Sequence, residues 1–209
     1  MAVTLALRAA RLRGVAVDLQ LDPRTMDLLQ PAGFCLAVVE ILRLRPGSLV
    51  VIALDCRSFS SMSRWSSGRS LIKLWGYKDR EFVASGNKLS SRVALLIYLC
   101  QWRSLRWLLE QPDGSMLPHL PRFQKLWKQF DVYHSYFWMG KFNGPTPKRH
   151  RIWSNCFSLV DGIQQRAGHM LKSEMERLTK RLVNRYEDKL GTKRFTGKRK
   201  ELRESQILG

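Results

Sequence analysis

The run Leu49-Val-Val-Ile-Ala-Leu54 is unbroken apolar sequence with β-branched residues at its centre. It shows no apolar–polar alternation, so a strand built from it must be covered on both faces. That requirement points to a central strand between two layers of helices. The flanking segments supply such helices. Gly33 to Arg43 places Phe34, Val38, Ile41 and Leu42 on one helical stripe, stopped by Pro46-Gly47. Leu89 to Trp102 carries a second stripe at Leu89, Val93, Leu96, Ile97 and Cys100.

Further strands are expected at Val15–Leu19, at Arg106–Glu110 before Pro112, at Asp131–Met139 and at Arg149–Asn155. A short helix is expected from Phe123 to Phe130, and a turn at Gly144-Pro-Thr-Pro147. Strands alternating with helices give an α/β fold: a mostly parallel Rossmann-like sheet with helices on both faces. Residues 1–160 are read as this domain. Residues 161–209 are read as a basic amphipathic helix, striped by Leu171, Met175, Leu178, Leu182, Tyr186 and Leu190, then a disordered tail after Gly191. Trp102, Trp107 and Trp127, with Cys35 and Cys100, are assigned to the core.

Charge narrows the partners. The 209 residues carry 36 Lys and Arg against 17 Asp and Glu, a net of +19. Residues 161–209 hold 13 basic and 7 acidic residues, so most of the excess lies on the first 160. A basic tail alone does not account for it. Such a balance selects polyanions, nucleic acid first and an anionic membrane surface second. The densest apolar run, Val93 to Cys100, is too short for a bilayer span, so no membrane partner is expected.

Four scattered cysteines without C-x-x-C fit a reducing compartment, the nucleus or cytoplasm. His119, His134, His150 and His169 have no ligand spacing with one another or with a cysteine, and no metal is expected. Residues 1–17 contain Arg8, Arg11 and Arg13 and no acid, which resembles a transit peptide. They have one hydroxyl residue, Thr4, and no clear cleavage signal. They are therefore read as a strand end and first helix.

In open α/β sheets functional residues lie past the carboxyl ends of strands. Three segments qualify: Asp18, Asp55-Cys56 and Glu110-Gln111-Pro112. Cys56 opens a Ser/Arg-rich loop, residues 57–70, expected to be mobile. There Arg57 and Arg64 would favour its thiolate. Arg57, Arg64, Arg69 and Lys148 are candidate phosphate contacts, and Trp65 and Trp75 candidate stacking platforms for unpaired bases. Arg149 and Arg151 share one face of a strand and can grip a phosphate or orient a carboxylate.

This ordered set, a strand-end acid, a cysteine, a glutamate before proline and Arg-x-Arg, resembles the DNA cytosine-5 methyltransferases. The closest stretch is Gly144-Pro-Thr-Pro-Lys-Arg-His-Arg-Ile-Trp-Ser-Asn155, and the resemblance covers roughly residues 10–160. It implies a sheet that binds S-adenosylmethionine. It implies Cys56 as the nucleophile at C6 of a flipped cytosine and Glu110 at the ring N3. It implies Arg149 and Arg151 as organisers of the site, DNA as partner, and Asp18 as the ribose-binding acid. The departures are specific. The family's Phe-x-Gly-x-Gly cofactor loop is absent, Asp55 replaces the proline before the cysteine, and Gln-Pro follows the glutamate. The chain is accordingly read as a truncated or degenerate relative lacking its first strand or that loop.

Overall fold

The computed structural model describes residues 6–7, 9–144, 146–187 and 191–197. Helix α1 (Pro31–Arg43) begins with a proline whose fixed φ and missing N–H suit a first helical position. It buries Gly33, Ala37 and Ile41. Strand β1 (Leu49–Ala53) follows, then a short helix α2 (Arg64–Ser67) and the long helix α3 (Glu81–Trp102). Next come β2 (Arg106–Pro112), α4 (Pro121–Gln129), β3 (Tyr133–Trp138) and β4 (Arg149–Ser154). Helices α5 (Phe157–Ala167) and α6 (Lys172–Leu182) lead to a hairpin of β5 (Val183–Glu187) and β6 (Lys193–Gly197).

The main sheet has the order β1-β2-β4-β3. β1 and β2 are parallel, with Ala53 opposite Glu110. β4 runs antiparallel to both its neighbours. The fold is thus mixed α/β, and the mostly parallel sheet expected from sequence is corrected to one parallel pair. Connection length explains the difference. α3 supplies the long crossover that a parallel pair needs, whereas β3 and β4 are joined by a short connection suited to antiparallel neighbours.

Alternate residues of the sheet face two layers. Trp107, Leu109 and Trp153 join the core formed with α1, α3 and α4. Leu108 and Ile152 pack on Val160 and Ile163 of α5 on the other side. Helices on both faces were expected, but β1, expected to be central and covered on both faces, is an edge strand with Leu49 and Val51 exposed. Residue 160, the expected domain limit, falls inside α5 and in the core of the sheet. The centre of the first layer is a stack of indoles. Trp127 lies 6.2 Å from Trp107 and 6.0 Å from Trp153, its ring nearly parallel to each.

Other expectations also change. Residues 15–19 form no strand: the Asp18 carboxylate accepts the Gln20 N–H at 2.9 Å, and its carbonyl accepts the Leu21 N–H. An aspartate bonding the backbone two residues on makes a turn. Helix α3 starts at Glu81, ahead of the apolar stripe, because tertiary contacts hold its first turns. Gly86 lies against Ser58, and the Asn87 amide donates to the Trp75 carbonyl at 3.1 Å. Cys35 and Trp102 are exposed, whereas Cys100 and Trp107 are buried. The C-terminal helix ends at Leu182, and residues 193–197, expected to be disordered, are a strand. Arg8, Pro145, Leu190 and the tail after residue 197 lie outside the described residues. No helix among the described residues is long and apolar enough to cross a membrane.

The segment between β1 and α3 is a built structure. Arg69 is its centre and is buried. Its Nε donates to the Ser58 carbonyl at 2.9 Å and its Nη1 to the Leu74 carbonyl at 2.6 Å. Its Nη2 donates to Ser58 Oγ and to the Val83 carbonyl, and the guanidinium lies 4.1 Å over the Phe59 ring. Burial pulls its pKa down to about 10, so it stays charged at neutral pH. Gly68 ends α2 at φ +63°, and Gly76, at φ +62°, closes the loop against the Ser67 carbonyl. A Cβ at Gly76 would lie 2.4 Å from that backbone oxygen. Gly76→Ala therefore combines left-handed strain with a backbone clash. It is expected to lower stability by about 2–4 kcal/mol, read as a drop in denaturation midpoint.

Candidate functional site

The candidate residues gather where β1 and β2 end. Because these strands run parallel, their carboxyl ends lie side by side. The loop holding Cys56 leaves β1 beside the strand end that holds Glu110. A buried amide fixes the two ends together. The side chain of Gln111 donates to the Leu54 carbonyl at 2.9 Å and accepts the Ser115 hydroxyl at 3.1 Å. Phe59 and Ser60 donate their N–H groups to the Cys56 carbonyl, each at 2.9 Å, which turns the chain sharply after the cysteine. Met116 then donates to the Phe59 carbonyl at 2.9 Å, tying the loop after β2 to the loop after β1.

Burial pushes the Cys56 thiol pKa up, and the negative charges of Asp55 and Glu110 push it further, against a smaller opposing pull from Lys148. The expectation that Arg57 and Arg64 would favour the thiolate is corrected. Arg57 faces Asp55, whose carboxylate also accepts the Arg57 N–H at 2.8 Å, and Arg64 is exposed on α2. The thiol is protonated at neutral pH.

Glu110 is engaged as well. Residues 110 and 150 share a sheet face, and the Glu110 carboxylate meets Nδ1 of His150; both side chains are largely buried. On the opposite face Arg149 and Arg151 converge on Asp113. Arg149 Nε donates to Oδ2 at 2.7 Å and Arg151 Nη2 to Oδ1 at 3.3 Å. Arg151 also donates to the Tyr136 hydroxyl, and both guanidinium groups lie over the Tyr136 ring. Of the two uses open to an Arg-x-Arg pair, orienting a carboxylate is the one observed.

The closest stretch to the methyltransferases ends in Ser154-Asn155, and both side chains stitch strands together. Ser154 Oγ donates to the Trp107 carbonyl at 2.5 Å. Asn155 accepts the Trp107 N–H at 3.0 Å and donates to the Leu105 carbonyl at 2.8 Å. Asp18 stands in its turn and not at a strand end. Arg69 is committed to the loop interior and presents no donor for a phosphate, contrary to the expectation. Trp75 packs on the core, whereas Trp65, Arg57, Arg64 and Lys148 are exposed. A surface groove of about 690 Å³ lies against α4, and one of about 290 Å³ lies between β3 and α5. Neither is lined by Cys56 or Glu110.

Asp113 was not singled out from sequence, and Gln111 and His150 were named there without a role in the site. Strand parity was the available signal for His150, since it alternates with Arg149 and Arg151. Cys156 was also missed. It caps α5, and its thiol lies 3.4 Å from the Ser158 hydroxyl. That contact, the Leu159 N–H and the charge of Arg106 hold its pKa below the usual thiol value.

Thiol reactivity tests these electrostatics. Iodoacetamide at neutral pH should label Cys156 several-fold faster than Cys56, and Cys100 slowest, since burial pushes that thiol up to about 12. Asp55→Asn should speed Cys56 labelling several-fold by removing a negative neighbour. Site-resolved mass spectrometry over time reads both. In comparisons with protein-family models, curated proteins and solved structures, the chain matches none.

Proposed function

We propose that this chain is a degenerate relative of the DNA cytosine-5 methyltransferases that binds nucleic acid without transferring a methyl group. The observation that carries the reading is the placement of Cys56 in the loop after β1 and of Glu110 near the end of the parallel strand β2, at the edge where ligands of α/β sheets bind. The local chemistry opposes turnover. A nucleophilic cysteine acts as the thiolate, and here burial, Asp55 and Glu110 all favour the thiol. The glutamate is already held by His150, and both arginines are held by Asp113.

The residues present also do not fit S-adenosylmethionine. The acid matched to the cofactor ribose, Asp18, uses its carboxylate to cap a turn, and no strand precedes it among the described residues. Nucleic-acid binding rests on the +19 charge and on two exposed cations, Arg57, which follows Cys56 in sequence, and Lys148, whose charge acts on the Cys56 thiol. These cations neutralise phosphates and displace condensed counterions, so affinity must fall as salt rises. DNA is the partner that the resemblance favours.

Two titrations test the reading. Calorimetry with S-adenosylmethionine at millimolar concentration is expected to give no binding heat. Anisotropy of a labelled DNA oligonucleotide is expected to show log affinity falling linearly with log salt. Arg57→Ala and Lys148→Ala should each reduce that slope by about 0.9. Cofactor heat that is lost in Asp18→Ala would overturn the degenerate assignment. Absent or salt-independent DNA binding would overturn the nucleic-acid assignment.

A further inference from the structure

The loop between β1 and α3 carries four large apolar side chains that no described residue covers. Met62 is 92% exposed, Trp65 95%, Leu71 69% and Ile72 99%. Met62 and Trp65 are three residues apart in consecutive helical turns, so they project from one side. Leu71 and Ile72 are the two central residues of a tight turn. It is closed by reciprocal backbone bonds between Ser70 and Lys73 at 3.2 and 3.1 Å.

The loop cannot hide these groups by folding inward. Arg69, one residue before that turn, is bonded to Ser58, Leu74 and Val83, and Gly68 and Gly76 are packed against Tyr77 and Ser67. The apolar side chains therefore stand on a braced support. Exposed large apolar side chains gathered on one loop mark a contact surface.

The surrounding charge identifies the partner. Residues 56–78 contain no Asp or Glu. Arg64, Lys73 and Lys78 are exposed on the same segment as the apolar side chains, and Arg57 is exposed beside Asp55. We infer that this loop docks on an anionic lipid surface, its apolar apex entering the acyl boundary and its cations meeting the headgroups. Leu71, Ile72 and Met62 have no π-face, so a base stack would engage Trp65 alone, and phosphate contact would leave the aliphatic apex in water. Hydrocarbon accepts all four, and tryptophan favours the boundary between hydrocarbon and water. Basic residues add attraction to anionic headgroups. The inference is independent of the methyltransferase-like reading.

Co-sedimentation of the full chain with phosphatidylserine–phosphatidylcholine vesicles tests it, with pure phosphatidylcholine vesicles and a labelled DNA oligonucleotide in parallel. Binding is expected to the anionic vesicles and to be weak to the neutral ones. The double variant Leu71→Ser/Ile72→Ser should lower vesicle partitioning about a hundredfold. Arg64→Ala and Lys73→Ala should each lower it about fivefold. The double variant should leave oligonucleotide affinity unchanged. These side chains are exposed, so an unchanged melting curve is expected and separates loss of binding from loss of fold. Brominated lipid should quench tryptophan emission in the unaltered chain, and the quenching should disappear in Trp65→Phe. Failure of the unaltered chain to bind anionic vesicles, or full binding by the double variant, would overturn the inference. So would a double variant that loses oligonucleotide affinity and keeps vesicle binding, because the loop would then be a nucleic-acid contact.

Discussion

The parallel pairing of β1 with β2 is the constraint on which the rest of the molecule depends. It demands a long crossover, which α3 provides, and it brings two strand ends to one edge. Gln111 locks that edge. Its amide spans the two strands where main-chain pairing ends, and because it is fully buried, both of its polar atoms had to find partners. β4 then enters beside β2 in the opposite direction, and Trp107, Trp127 and Trp153 stack so that α4 is pinned to both strands.

The same edge shows how one set of residue types can serve either chemistry or structure. A thiol, a carboxylate, an imidazole and two guanidinium groups stand within two neighbouring strand ends and one hairpin. Their charges are used on each other: Glu110 with His150, Asp113 with two arginines, Asp55 with Arg57. Arg57, Arg64 and Lys148 stay exposed, and exposed cations govern what such a surface attracts.

Arg69 shows how a charged side chain can organise a loop from within. Four hydrogen bonds from its rigid plane reach the carbonyls of Ser58, Leu74 and Val83 and the Ser58 hydroxyl, and the Phe59 ring carries the guanidinium face. The cost of burying the charge is offset by several hydrogen bonds. The result is a stiff support that holds Trp65, Leu71 and Ile72 in water.

Local pattern alone was enough to locate β1, β2, β3 and β4, because each is a short run with a composition that fits a strand and flanks that stop it. It also located α1 and α4 from their stripes and prolines, and placed Cys56 past the end of β1; Glu110, expected at a strand end, lies within β2, which runs on to Pro112. Strand direction was not legible, since it depends on how the chain returns between strands and not on the residues within them. Neither was the role of an arginine. Arg57, Arg64 and Arg69 belong to one polar stretch of sequence, yet two face solvent and one is buried, because only the folded loop decides which carbonyls lack donors. The thiol of Cys56 and the paired arginines followed the same rule: composition supplied the ionisable groups, and the fold decided that Glu110 would oppose the thiolate and Asp113 would hold the arginines.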